Sequence, residues 1–104
     1  TFGGVGSGTE VEFVQVSYSN DDSYEWFGGT VNAKHLVAYK GWDDDFDTDY
    51  GYTGNLQFLL SVRDKDIADT SDSNGFESDN DASGAYEACL LQRDFDRSVL
   101  WKGF

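Results

Sequence analysis

Carboxylates dominate the chemistry this sequence could do. The stretch Trp42–Gly51, WDDDFDTDYG, carries Asp43, Asp44, Asp45, Asp47 and Asp49, with aromatic residues at Trp42, Phe46 and Tyr50. Looser copies lie upstream, NDDSYEWFG at 20–28, and downstream, SNGFESDND at 73–81. Oxygen-only clusters suit hard divalent cations, Ca²⁺ first, then Mg²⁺ and Mn²⁺ with waters retained. Two carboxylates ~5–9 Å apart are also what glycoside hydrolysis needs. A solvated acidic surface with no further role is the third reading, and residue types alone do not choose among them.

Spacing sharpens the picture. If the three copies stack as short strands, SYEWF at 23–27 lies over DFDTD at 45–49, and that over GFESD at 75–79. Side chains alternate along a strand. Tyr24, Phe46 and Phe76 then form one inward column, and Trp26, Thr48 and Ser78 a second. Glu25, Asp47 and Glu77 form an outward column, with Phe27, Asp49 and Asp79 beside it. Glu25, Asp47, Asp49, Glu77 and Asp79 are the expected metal ligands. Like charges on rungs ~4.8 Å apart repel by about 3 kcal/mol at an effective dielectric of ~20. Bound protons or a bound cation would relieve that repulsion.

The catalytic version of this site is a metal-dependent hydrolase of phosphoryl or acyl esters. There Asp47 and Asp49 would serve the metal and its water, with a spare carboxylate or His35 as base. His35 is the only histidine, and it aligns with Phe13 and Phe58, which points to a packed position. As a ligand it would bring Zn²⁺ into consideration. Asp21, Asp22, Asp43, Asp44 and Asp45 are expected mainly to bond turn backbone, and they could add ligands at the edge of the ladder. Trp26, Phe27, Trp42, Tyr50 and Tyr52 lie near it in sequence and could stack on a carbohydrate, with Trp26 better suited to the core.

Three longer strands must carry these short ones. Residues 9–19 place Val11, Val14 and Val16 inward, residues 30–39 place Ala33, Leu36 and Ala38, and residues 55–63 place Leu56, Leu59 and Ser61. Val14 to Leu36 is 22 residues, Leu36 to Leu59 is 23, and both Asp22 to Asp45 and Gly28 to Gly51 are 23. Phe46 to Phe76 is 30, because a polar excursion at 64–74 intervenes. A period in the low twenties, with two strands per unit and no helical apolar pattern, is that of a β-solenoid. A small antiparallel sandwich would give similar local spacing. The expected fold is all-β, a short parallel β-helix of about three coils over residues 1–84. Residues 2–8, FGGVGSG, read as a glycine-rich entry loop. Residues 85–104 read as a helical tail, with Leu91, Phe95 and Val99 on one stripe, capping the solenoid or joining two chains.

Composition removes other classes. The 104 residues hold 20 acidic against 7 basic side chains, a formal charge of −13. A nucleic-acid partner needs a basic footprint, and anionic membranes would repel such a chain. No apolar run reaches the ~20 residues of a membrane helix, and no signal peptide is visible. Cys89 is the single cysteine, so no disulfide forms within the chain. The chain starts at Thr1 without methionine, which reads as processing or as a piece of something longer. No G-x-S-x-G, H-E-x-x-H or phosphate-loop pattern occurs. His35, Val37 and Tyr39 over Phe58, Leu60 and Val62 form an outward apolar patch that predicts a homodimer.

The run from Gly4 to Phe58 and NGFESDNDASG at 74–84 resemble secreted repeat proteins of Bacteroidetes-type bacteria, large cell-surface or lipoprotein chains, over about residues 3–84. The resemblance implies a right-handed parallel β-helix and an extracellular or outer-surface location. It implies no activity, because it brings no catalytic residues with it.

Overall fold

The computed structural model describes residues 1–79. Its strands are β1 (Phe2–Gly3), β2 (Glu10–Ser17), β3 (Tyr24–Phe27), β4 (Asn32–Tyr39), β5 (Phe46–Asp49), β6 (Leu56–Val62) and β7 (Phe76–Ser78). They alternate between two sheets, ordered β1-β3-β5-β7 and β2-β4-β6, and every neighbouring pair is parallel. This is a parallel β-helix, as the repeat predicts. The expected tail helix over 85–104 lies outside the described residues.

The register follows the apolar positions. Val11, Val14 and Val16 pair with Ala33, Leu36 and Ala38, and these pair with Leu56, Leu59 and Ser61. In the other sheet Tyr24, Phe46 and Phe76 pair in series, and their rings stack at 5.2 and 5.0 Å. Trp26 stacks on Phe2 at 5.4 Å. Middle rungs are the driest: Leu36, Ala38, Phe46 and Trp26 have no exposed surface. Burial of each large apolar side chain stabilises by about 1.5–3 kcal/mol. The Tyr24 hydroxyl crosses the core to donate to Val14 O at 2.8 Å or Val37 O at 3.1 Å, so one buried polar group ties the two sheets together.

The glycine-rich start holds a short strand where its composition predicts a turn or an ordered loop. Phe2 and Gly3 pair with Trp26 and Phe27, adding a rung above β3. The corners are columns of left-handed residues. Gly4, Gly28 and Tyr50 occupy one column with φ of 61, 63 and 50°, and Tyr18 and Lys40 another with φ of 56 and 53°. A third column, Phe13, His35 and Phe58, has φ near 55° in the middle of the long strands. It interrupts alternation, which is why Ala33 and Leu36, three apart, are both buried. Val14, in register with Leu36 but on the edge strand β2, is 39% exposed rather than packed in the core.

Candidate functional site

The acidic site is built where the chain enters β3 and β5. Asp22 precedes β3, and its Oδ1 accepts from Asp44 N at 3.0 Å. Asp44 repeats the motif one rung on, its Oδ1 accepting from Asn74 N. Ser23 N and Asp45 N donate to Asp44 O and Asn74 O at 2.8 and 3.0 Å. This ladder of side chains and backbone stacks three turns at one corner. Stacking the corner brings its carboxylates to the entry of the short strands.

The outward column forms as the alternation predicts, with Glu25 paired to Asp47 and Asp47 to Glu77. Carboxylate oxygens of Asp22, Glu25 and Asp47 lie within 4.8 Å of one another. A second trio, Asp21, Asp22 and Asp43, meets the same limit, so Asp22 belongs to both. Asp47 is the most enclosed of these ligand groups, at 9% exposure, and its carboxylate has no hydrogen-bond donor among the described residues. Burial, then the charges of Asp44, Glu25, Asp49 and Asp79, push Asp47 up to about 6. Burial raises Asp22 to about 7, against the stabilising bond from Asp44 N. Glu77 rises to about 7, first because it shares a hydrogen bond with Asp44. In water these groups would titrate near 4. Near neutral pH the corner is therefore partly protonated, on Asp22 and Glu77 more than on Asp47, and a bound cation would compete with those protons.

Of the expected ligands, Glu25 and Asp47 meet at the trio. Glu77 turns to Asp44 instead. Asp49 accepts from Tyr50 N, and Asp79 sits beside it, exposed, with its N–H on Thr48 O at 2.8 Å. Asp22, expected first as a turn residue with ligation at the ladder's edge as the alternative, lies in the trio itself; its signal is its place just before β3, on the corner over Asp44. Asp45 does behave as a structural turn aspartate. It is fully buried, accepts from Ser61 Oγ, and lies 3.3 Å from Arg63 Nη1. Arg63 also donates to Asp43 O and Asn74 O at 2.8 and 2.9 Å, closing the base of the 64–74 excursion.

His35 is not part of this site. It lies on β4, in the other sheet, between Phe13 and Phe58 at 4.6 and 4.8 Å. The ring is packed as its alignment predicts, but on the outside of the coil, where Phe13 is 76% exposed. Its Nδ1 is 2.9 Å from Glu12 Oε1. The structure does not bring it together with Asp47 and Asp49, which lie on β5 in the other sheet. The aromatic platform also contracts. Trp26 and Tyr52 are buried in the core, leaving Tyr50 tilted against Phe27 at 5.5 Å, and Trp42, whose Nε1 donates to Asp69 at 3.2 Å.

A family model described as a pectate-lyase like beta helix domain matches residues 1–93. Comparison with curated proteins and with solved structures returns no match. Among the described residues no helix is long and apolar enough to cross a membrane.

Proposed function

The chain belongs to the pectate-lyase like beta helix domain family, and on that scaffold we propose that it is a divalent-cation-binding module, a piece of a bacterial surface β-helix acting outside the cell. The observation that carries this reading is Asp47. A nine-tenths buried carboxylate with no donor among the described residues, facing Asp22 and Glu25 within 4.8 Å, is stabilised by a proton or a cation. Asp22, Glu25 and Asp47 are the central ligands in this reading, with Asp49, Glu77 and Asp79 supplying field and outer contacts. All-carboxylate donors favour Ca²⁺, with Mg²⁺ and Mn²⁺ as competitors and water completing the shell. Zn²⁺ loses its best argument once His35 is on the other sheet.

Calorimetric titration of the metal-free chain with Ca²⁺ at pH 7.5 tests the reading. Wild type should bind, and Asp47→Asn should lose most of the heat and at least roughly tenfold in affinity, the effect of ~1.4 kcal/mol. Equal binding by both proteins would place the ion elsewhere.

A second reading, a metal-dependent hydrolase, is favoured by one observation. Asp22 and Asp47 titrate at about 7 and about 6, where a carboxylate can exchange protons at neutral pH. An ester-hydrolase panel run with and without chelator separates it from the binding module. Chelator-sensitive turnover lost in Asp47→Asn would establish it, and no turnover would leave the module.

A further inference from the structure

The third rung of the acidic corner departs from the other two. Asp22 and Asp44 stand one above the other, and each accepts from the backbone N–H of the next rung, Asp44 N and Asn74 N. The backbone repeats as well, with Ser23 N on Asp44 O at 2.8 Å and Asp45 N on Asn74 O at 3.0 Å. Position 74 is therefore the next member of the column. It holds a carboxamide where the first two hold carboxylates.

Asn74 is also the only asparagine followed by glycine. Glycine has no Cβ to obstruct attack of its own backbone nitrogen on the preceding side chain. Both reacting groups are free among the described residues: the Asn74 carboxamide makes no hydrogen bond, and Gly75 N donates to no acceptor. Asn32 and Asn55, by contrast, are tied together, Asn55 Nδ2 donating to Asn32 Oδ1 at 2.9 Å. The Asn74 carbonyl oxygen accepts from Arg63 Nη1 at 2.9 Å and from Asp45 N at 3.0 Å. Loss of the Gly75 amide proton puts negative charge on that oxygen, where a guanidinium and an N–H are already in place to stabilise it.

We infer that Asn74 is a self-modifying site, which converts to aspartate or isoaspartate without an enzyme. Gly75 N bonds to Asn74 Cγ, the Cγ–Nδ2 bond breaks, and the amide proton reaches the departing nitrogen by way of solvent, so that ammonia leaves. The cyclic imide then takes up water and opens at either carbonyl; nothing is oxidised or reduced. Opening at Cγ restores the main chain and puts a third carboxylate in the column below Asp44. Opening at the backbone carbonyl routes the chain through Cγ and leaves the carboxylate on the carbon whose oxygen Arg63 holds. Either product adds one negative charge to the corner. The inference does not rest on the cation.

Peptide mapping by mass spectrometry tests it, on the full chain kept at pH 8 and sampled with time. Exchange of NH2 for OH should accumulate at Asn74 in the native chain at least as fast as in the chain unfolded in guanidinium chloride. It should run roughly tenfold faster than at Asn20, Asn32 or Asn55, a barrier difference of ~1.4 kcal/mol. Gly75→Ala tests the route. A Cβ there would meet only Ser61 Oγ among the described residues, at 3.5 Å, an ordinary contact that leaves the fold intact. The methyl hinders the attack, so conversion should slow by roughly tenfold. Conversion in the unfolded chain but not in the native one would show that the corner protects Asn74, and would overturn the inference. Equal conversion in Gly75→Ala would overturn it too.

Discussion

Asp47 is the residue on which the account turns. Its carboxylate is enclosed by a fold that supplies neighbouring negative charge and, among the described residues, no donor. The sequence made it legible because a strict two-residue alternation places it between Glu25 and Glu77. Its enclosure was not legible, since that depends on the corner residues Asp22 and Asp44 folding over the strand. A pH dependence follows. Asp22 and Glu77 titrate at about 7 and Asp47 at about 6, above their ordinary values of 3.8, 4.5 and 3.8. Raised folded values mean that the native chain holds protons the unfolded chain has released. Their stabilisation is complete below the unfolded values and is lost as pH rises through the folded ones. With chelator present, the melting temperature should fall from pH 4.5 to pH 7.5, roughly the window between those two sets of values. Saturating Ca²⁺ should flatten the fall. A melting temperature that rises with pH in chelator would mean these carboxylates are stabilised as anions.

At the scale of the element, the rung was readable because each coil repeats the same inward set. Leu36 under Val14 and Phe46 under Tyr24 follow from spacing alone, and the structure bears both out. Three features were not readable. β1 is two residues long and glycine-bearing, so it has no alternation to detect. The left-handed column at Phe13, His35 and Phe58 includes two phenylalanines, a type with no preference for positive φ, and the three rings stack along it. The buried Asp45–Arg63 pair joins residues 18 apart through the base of an excursion that composition marks only as polar. The aromatic column gives the sharpest stability test. Phe46 has no exposed surface and stacks on both Tyr24 and Phe76. Phe46→Ala should cost about 3–5 kcal/mol in denaturant unfolding. A cost below ~1 kcal/mol would be inconsistent with a close-packed ring at that rung.

Among the described residues, the carboxylate trios and the outer apolar pairs belong to different sides of the coil. The carboxylate trios gather where the chain enters β3 and β5, while Val37 and Leu60, and Tyr39 and Val62, pair on the outer side of β4 and β6, flanked by Lys34 and Lys40. A two-fold contact through this outer face would bury apolar area and keep the two acidic corners apart. Light scattering at micromolar concentration should therefore give a dimer mass. A monomer mass there would show that the face is covered in some other way. Metal retention tests the central claim most directly. The purified chain, dialysed at pH 7.5 against trace Ca²⁺ and then assayed for metal, should retain Ca²⁺ in wild type, lose it in Asp47→Asn, and lose it in wild type as the pH is lowered to 5. Retention unchanged by Asp47→Asn, or no retention by wild type, would contradict the assignment of the acidic corner as a cation site.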